Sequence, residues 1–215
     1  MNMDFNLFTP TKLLFGRGKL NELGNQKLPG RKALLLISSG QSVKTSGTLD
    51  RVTAQLDKAG AAYVICNNIH ENPSKEVVME AAACAKGNGC DFILALGGGA
   101  VLDSAVAVAA MATNPGDLWD YVCGGTGKAQ PLLHPGLPIV TIATTSGTGS
   151  EINCWGVISN HETNEKIGFG DPSLNPVLAI VDPELMRTVP AEYTAYQGFD
   201  ALFHNTEVMI SRFVN

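Results

Sequence analysis

The sequence predicts an α/β fold: a parallel, Rossmann-like sheet with flanking helices. Three observations carry this reading. Apolar runs of strand length recur without polar alternation, as in strands covered on both faces. Segments of helical spacing separate them. Glycine-rich turns follow two of the runs directly.

Taken in order, Ala33–Ile37 (ALLLI) is the first such run, and Thr48–Ala59 follows with helical spacing at Leu49, Val52 and Leu56. Ala62–Cys66 (AYVIC) reads as a second buried strand. Pro73 precedes Ser74, a residue type suited to cap a helix, and Val77–Ala85 is helical up to Gly87 and Gly89. Phe92–Leu96 (FILAL) is a third buried strand, followed by three glycines and an Ala/Val-rich helix over Val101–Ala112. Pro138–Ile142 is a fourth strand. Val157–Ser159 and Lys166–Phe169 are spaced to form a hairpin around His161–Asn164. Leu178–Val181 is another strand, and Pro190 opens a helix from Ala191 to about Ser211. Repeated strand–helix–strand units imply right-handed parallel crossovers. A domain boundary falls at Val189-Pro190, giving an α/β domain over 1–189 and the start of a helical domain over 190–215.

Composition narrows the function. The net charge is −5, and Arg31-Lys32, Lys44 and Lys166 are scattered rather than aligned, so no nucleic-acid partner is expected. The five cysteines (Cys66, Cys84, Cys90, Cys123, Cys154) form no CxxC pair and read as reduced thiols of a cytosolic protein. Residues 1–8 lack the pattern of a secretory signal, and the apolar stretch at 105–112 is too short to span a bilayer. A cytoplasmic protein without a membrane partner is expected.

Gly97-Gly98-Gly99-Ala100-Val101-Leu102-Asp103 leaves a strand and opens a helix. Unobstructed N–H groups at a helix start attract phosphate. The turn is neither a GxGxxG fingerprint, since Leu102 stands where the third glycine belongs, nor a P-loop. Close strand–helix packing alone would also explain the glycines. Asp103 either compensates the helix dipole or faces a ligand.

A second loop, Thr144-Thr145-Ser146-Gly147-Thr148-Gly149-Ser150-Glu151, follows the fourth strand, where open α/β sheets bind ligands. Its hydroxyls suit phosphate and ribose oxygens, although a plain polar loop has the same composition. Asp200 and His204 lie four residues apart on one face of the last helix. They form either a surface pair or two ligands of one cation, and two ligands fall short of a catalytic divalent site.

Together, GGGAVLD at 97–103, TTSGTGSE at 144–151, AIVDPEL at 179–185 and GFDALFH at 198–204 resemble the iron-dependent (group III) alcohol dehydrogenase family, in its butanol-dehydrogenase-like branch. TKLLFGRGKLNELG at 11–24 and Asn72-Pro73 extend the resemblance along the whole chain. It implies an N-terminal domain that binds NAD or NADP and an all-helical C-terminal domain that carries Fe(II) or Zn(II). It places the pyrophosphate on Gly98, Gly99 and Ala100, with Asp103 toward the nicotinamide. Thr144, Thr145, Thr148 and Ser150 would line the cofactor cleft, Asn72 and Lys166 would contact the cofactor, and Asp200 and His204 would be the first two metal ligands. Two further histidines come later in the family, on helices this sequence does not contain. The helical domain is therefore expected to be missing beyond its first helix, the metal site to be incomplete, and the isolated chain to be inactive. Leu202, Val208, Met209 and Ile210 would then lie exposed.

The implied reaction is hydride transfer between a small alcohol or aldehyde and the nicotinamide, in a homodimer. Ser39, Gly40 and Ser42 would meet the adenosine end. Ser38–Lys44 offers no carboxylate for ribose hydroxyls, which favours NADP. The competing readings are a non-catalytic nucleotide-binding remnant and a dehydroquinate-synthase-like enzyme. The Asp-x-x-x-His helix disfavours the second.

Overall fold

The computed structural model describes residues 8–211. Six parallel strands form the central sheet: β1 (Lys12–Phe15), β2 (Lys32–Ser38), β3 (Ala62–Ile69), β4 (Phe92–Gly97), β5 (Ile139–Ala143) and β8 (Leu178–Val181). Their order is β1-β8-β5-β4-β2-β3, every pair parallel. An antiparallel hairpin, β6 (Trp155–Asn160) and β7 (Glu165–Gly170), stands apart from the sheet. The parallel α/β class and the hairpin agree with the sequence reading.

Side-chain alternation splits the core in two. Leu34, Leu36, Ile93 and Ala95 face α3 (Lys75–Gly87), α4 (Gly99–Met111) and the hairpin. Ala33, Leu35, Ile37, Leu94 and Leu96 face α2 (Thr48–Lys58), the short α1 (Ser42–Thr45) and a 3₁₀ turn at Lys19–Asn25. Both faces of β2, β4 and β5 are covered, which is why these strands read as unbroken apolar runs. β3 departs from that expectation. It is an edge strand, and Ala62, Ile65 and Asn67 are exposed.

α4 is apolar on all sides because it is enclosed on all sides. Val101, Leu102 and every residue from Ser104 to Met111 are buried, between the sheet, α3 and the hairpin. Gly156 lets β6 approach its backbone, since a Cβ there would lie 2.4 Å from the Asp103 carbonyl oxygen. α3 starts where Ser74 was expected to cap it: the Ser74 side chain accepts from the Val77 N–H at 3.4 Å. Its end differs, for Gly87 is its last residue and Asn88 the cap.

At the other end of the chain, α5 (Ala191–Ile210) begins after Pro190 and buries no residue. Phe199, Leu202, Phe203, Met209 and Ile210 are exposed, extending the apolar face expected from the sequence. No described helix is long and apolar enough to cross a membrane.

Candidate functional site

The connections from β2 and β4 run in opposite directions, β2 outward to β3 and β4 across to β5. Open parallel sheets form a crevice at such a switch, beyond the carboxyl ends of the strands. A cavity of about 470 Å³ occupies that position. Its floor is the start of α4, with Gly98, Gly99 and Ala100, and its wall is Thr144 and Thr145.

Gly98 caps α4 without a side-chain hydrogen bond. The first N–H groups of a helix lack intrahelical partners, so the floor presents donors and a positive dipole end. The glycines are required by contact, not by backbone angle, for Gly98 lies in the extended region. A Cβ on Gly98 would sit 2.9 Å from Thr145 Oγ1, and one on Gly99 would sit 2.8 Å from Thr148 Cγ2. The glycine turn and the hydroxyl loop therefore pack against each other.

Within that loop the hydroxyls divide. Thr144 and Thr145 face the cavity. Thr148 and Ser150 bond inward: Ser150 Oγ lies 3.0 Å from Thr148 Oγ1 and donates to Asp103 Oδ1 at 2.7 Å. Asp103 Oδ2 accepts from the Val157 N–H at 2.9 Å. Asp103 thus ties α4 to the loop and the hairpin. Burial pushes its carboxyl above the ordinary range, against those two hydrogen bonds and the charge of Lys166.

Lys166 and Asn72 meet each other away from the cavity lining, Lys166 Nζ donating to Asn72 Oδ1 at 2.6 Å. At the β2 end, Ser42 lines the cavity, whereas Ser39 and Gly40 do not. Ser39 Oγ is 2.9 Å from His70 Nδ1.

Asp200 and His204 face the hydroxyl loop. His204 Nδ1 is 3.2 Å from the Gly147 carbonyl oxygen, and His204 Nε2 is 3.7 Å from Asp200 Oδ1. Gly147 has φ of +104°, and a Cβ there would lie 2.7 Å from Asp200 Oδ2. Two donors are present at this point, fewer than a catalytic divalent site takes. Among the described residues no cluster of three or more His, Cys, Asp or Glu could hold a metal.

Several residues that sequence reasoning missed join the cavity, among them His70 and Glu71 just after β3, and Gln197 from α5. Gln197 Oε1 accepts from both the N–H and Oγ of Ser146, at 2.8 and 3.0 Å. One available signal was its spacing, three and seven residues before Asp200 and His204, on the same helical face.

These features define an open parallel α/β protein with a cleft at its strand-order switch. The chain belongs to the iron-containing alcohol dehydrogenase family, whose model matches residues 10–183. It is 42% identical over 201 residues to the probable NADH-dependent butanol dehydrogenase 1 of Bacillus subtilis, covering 94% of this chain and 51% of the relative. The NADPH-dependent aldehyde reductase YqhD of Escherichia coli is 34% identical over 209 residues, 97% of this chain and 53% of the relative. Among solved structures, NADH-dependent butanol dehydrogenase A of Thermotoga maritima superposes with a TM-score of 0.87 at 38% identity, covering 95% of this chain and 50% of that one. The chain spans about half the length of the relatives it matches.

Proposed function

We propose that residues 1–189 bind a nicotinamide dinucleotide and that residues 190–215 begin a metal-binding domain, together forming part of an alcohol dehydrogenase or aldehyde reductase. The observation that carries the binding reading is the cavity at the strand switch, floored by the uncapped start of α4 and walled by Thr144 and Thr145. The fit is chemical: exposed N–H donors for a pyrophosphate, hydroxyls for ribose, and glycines where side chains would fill the space.

In this reading the coenzyme supplies a hydride acceptor or donor for a small alcohol or aldehyde. The protein's part is positioning. Gly98, Gly99 and Ala100 hold the phosphates, while Asp103, through Ser150 and Val157, fixes the loop that carries Thr144 and Thr145. Lys166 and Asn72 brace the β3–α3 connection. Asp200 and His204 are proposed as two metal donors, for iron or zinc. Two donors alone do not make a catalytic metal site.

The relatives' names include both NADH- and NADPH-dependent enzymes. Titration of the protein with NADH and NADPH, followed by nicotinamide fluorescence, tests the binding reading: saturable binding is expected, and its absence from folded protein overturns it. The competing reading is a nucleotide-binding protein without turnover. Coenzyme binding without oxidation of any short-chain alcohol, at saturating Fe(II) or Zn(II), would establish that one instead.

A further inference from the structure

Deepening the dinucleotide reading, on which it rests, we infer that Asp182 is a positioning residue: it fixes one wall of the cavity without lining it. Asp182 follows β8 and precedes Pro183, and it is fully buried. A buried carboxylate persists where donors meet its oxygens. Three N–H groups meet this one. The Glu184 N–H donates to Oδ1 at 3.1 Å, within the Asp-Pro turn itself. The Gly18 N–H donates to Oδ1 at 3.0 Å, and the Leu20 N–H to Oδ2 at 3.2 Å. Gly18 presents its N–H from a left-handed φ of +77°, which glycine adopts freely. Arg51 of α2 adds a guanidinium 3.9 Å from Oδ2. One side chain thus ties together the end of β8, the turn after β1, and α2.

The segment that starts at Asp182 builds the wall. Leu185, Thr188, Val189, Pro190, Tyr193 and Gln197 line the cavity, and all follow Asp182 in the chain. Beyond Asp182, Leu185 is buried, and no described residue from Met186 to Ser211 is. With no interior contact further on, the direction of the segment is set where it leaves the sheet. An apolar contact such as that of Leu185 resists withdrawal but not rotation, whereas hydrogen bonds are directional. Glu184 pairs with Arg17 at 2.6 Å and with Arg187 at 3.1 Å over the same turn, but both arginines are exposed, and such pairs contribute little. The later contacts, Gln197 with Ser146 and His204 with Gly147, are solvent-exposed. The buried carboxylate is therefore the group that aims Thr188 to Gln197 at the cavity.

The test is titration of the full chain and its variants, by nicotinamide fluorescence, with whichever of NADH and NADPH binds the unchanged protein more tightly. Asp182→Asn sets an amide NH₂ against N–H donors and should weaken binding at least about fivefold, the factor that one hydrogen bond of ordinary net strength represents. Gly18→Ala strains the turn that presents one donor, leaves Asp182 in place, and should weaken binding about twofold. Phe92→Leu is the control for stability alone. Phe92 is fully buried at the amino end of β4, the opposite end of the sheet from the cavity, so this variant should lower the urea midpoint and keep the coenzyme affinity. Arg17→Ala removes an exposed ion pair and should change neither. Unaltered affinity in folded Asp182→Asn would overturn the inference. So would a loss in Phe92→Leu as large as that in Asp182→Asn. If Asp182→Asn does not fold, Gly18→Ala decides, and an affinity equal to that of the unchanged protein overturns the inference. If neither coenzyme saturates the folded, unchanged protein, the dinucleotide reading itself falls, and this inference with it.

Discussion

Lys166 Nζ donates a 2.6 Å hydrogen bond to Asn72 Oδ1, joining the β6–β7 hairpin to the turn that leads from β3 into α3, across 94 residues of chain. The Ser159 N–H reinforces the junction by donating to the Pro73 carbonyl oxygen at 2.9 Å. Asn72 has φ of +53°, a left-handed angle that asparagine accepts and alanine resists.

That junction gives the first prediction. Asn72→Ala should destabilise the protein by about 1–2 kcal/mol, from backbone strain together with the lost hydrogen bond. Asn72→Gly should recover the strain part alone, and Lys166→Met should lose the hydrogen-bond part alone. Urea unfolding of the three variants separates the two contributions.

A second prediction concerns the floor of the cavity. Gly99→Ala drives a methyl against Thr148 Cγ2 and should cost about 1–3 kcal/mol. Thr148→Ser removes that methyl and keeps the hydroxyl that Ser150 meets. The double variant Gly99→Ala/Thr148→Ser should therefore recover most of the loss. A double-mutant cycle in urea would show coupling of this sign, and strict additivity would show that the contact is not responsible.

Asp103→Asn should cost about 1–2 kcal/mol at neutral pH. The amide can accept from Ser150 or from the Val157 N–H, but it offers fewer acceptor sites than the carboxylate it replaces. Thermal unfolding measures the loss. Hydrogen exchange should place it in the Thr148–Ser150 loop and at Val157 rather than in β3.

pH dependence follows from Glu165. Hydrogen bonds from Thr126, Thr163 and Trp119 hold its carboxyl at about 2, below an ordinary value of 4.5. A depressed carboxyl stabilises the folded state above its unfolded value and loses that contribution as pH falls through the folded one. The melting temperature should therefore decline between about pH 4.5 and 2, and Glu165→Gln should flatten that limb. Asp103, raised by burial, acts in the opposite sense: its contribution is present below 3.8 and fades as pH rises through its folded value.

Gln197→Ala removes both bonds to Ser146. Since α5 buries no side chain, its amides should lose hydrogen-exchange protection while those of β4 and β5 keep theirs.

The sequence made the interior of the sheet legible, and its margins less so. Leu34–Ile37 and Phe92–Leu96 are enclosed on both faces, so their composition alone marks them as strands. β1 has four residues at the sheet edge, with Leu13 and Phe15 exposed, and gives no periodic signal. α1 is a single turn and equally silent. Of the proposed site, the glycine turn and Thr144–Thr145 could be read, because the chemistry needs their types in sequence. Glu71 and Gln197 could not, because each reaches the cavity only through the folding of distant segments. Nor could the inward bonding of Thr148 and Ser150, since hydroxyl composition does not specify which way a loop turns.

The enclosure of α4 has a mechanical consequence. A helix wedged among the sheet, α3 and the hairpin cannot tilt or slide without opening a packed interior, so its amino end is a fixed anvil. Among the described residues α5 is held by polar contacts to residues 146–147 and by no buried side chain, so it is the less constrained of the two. Asp200 and His204 are thus carried by the wall of the cleft that the described residues pin least, and Gly98 and Gly99 by the one they pin most.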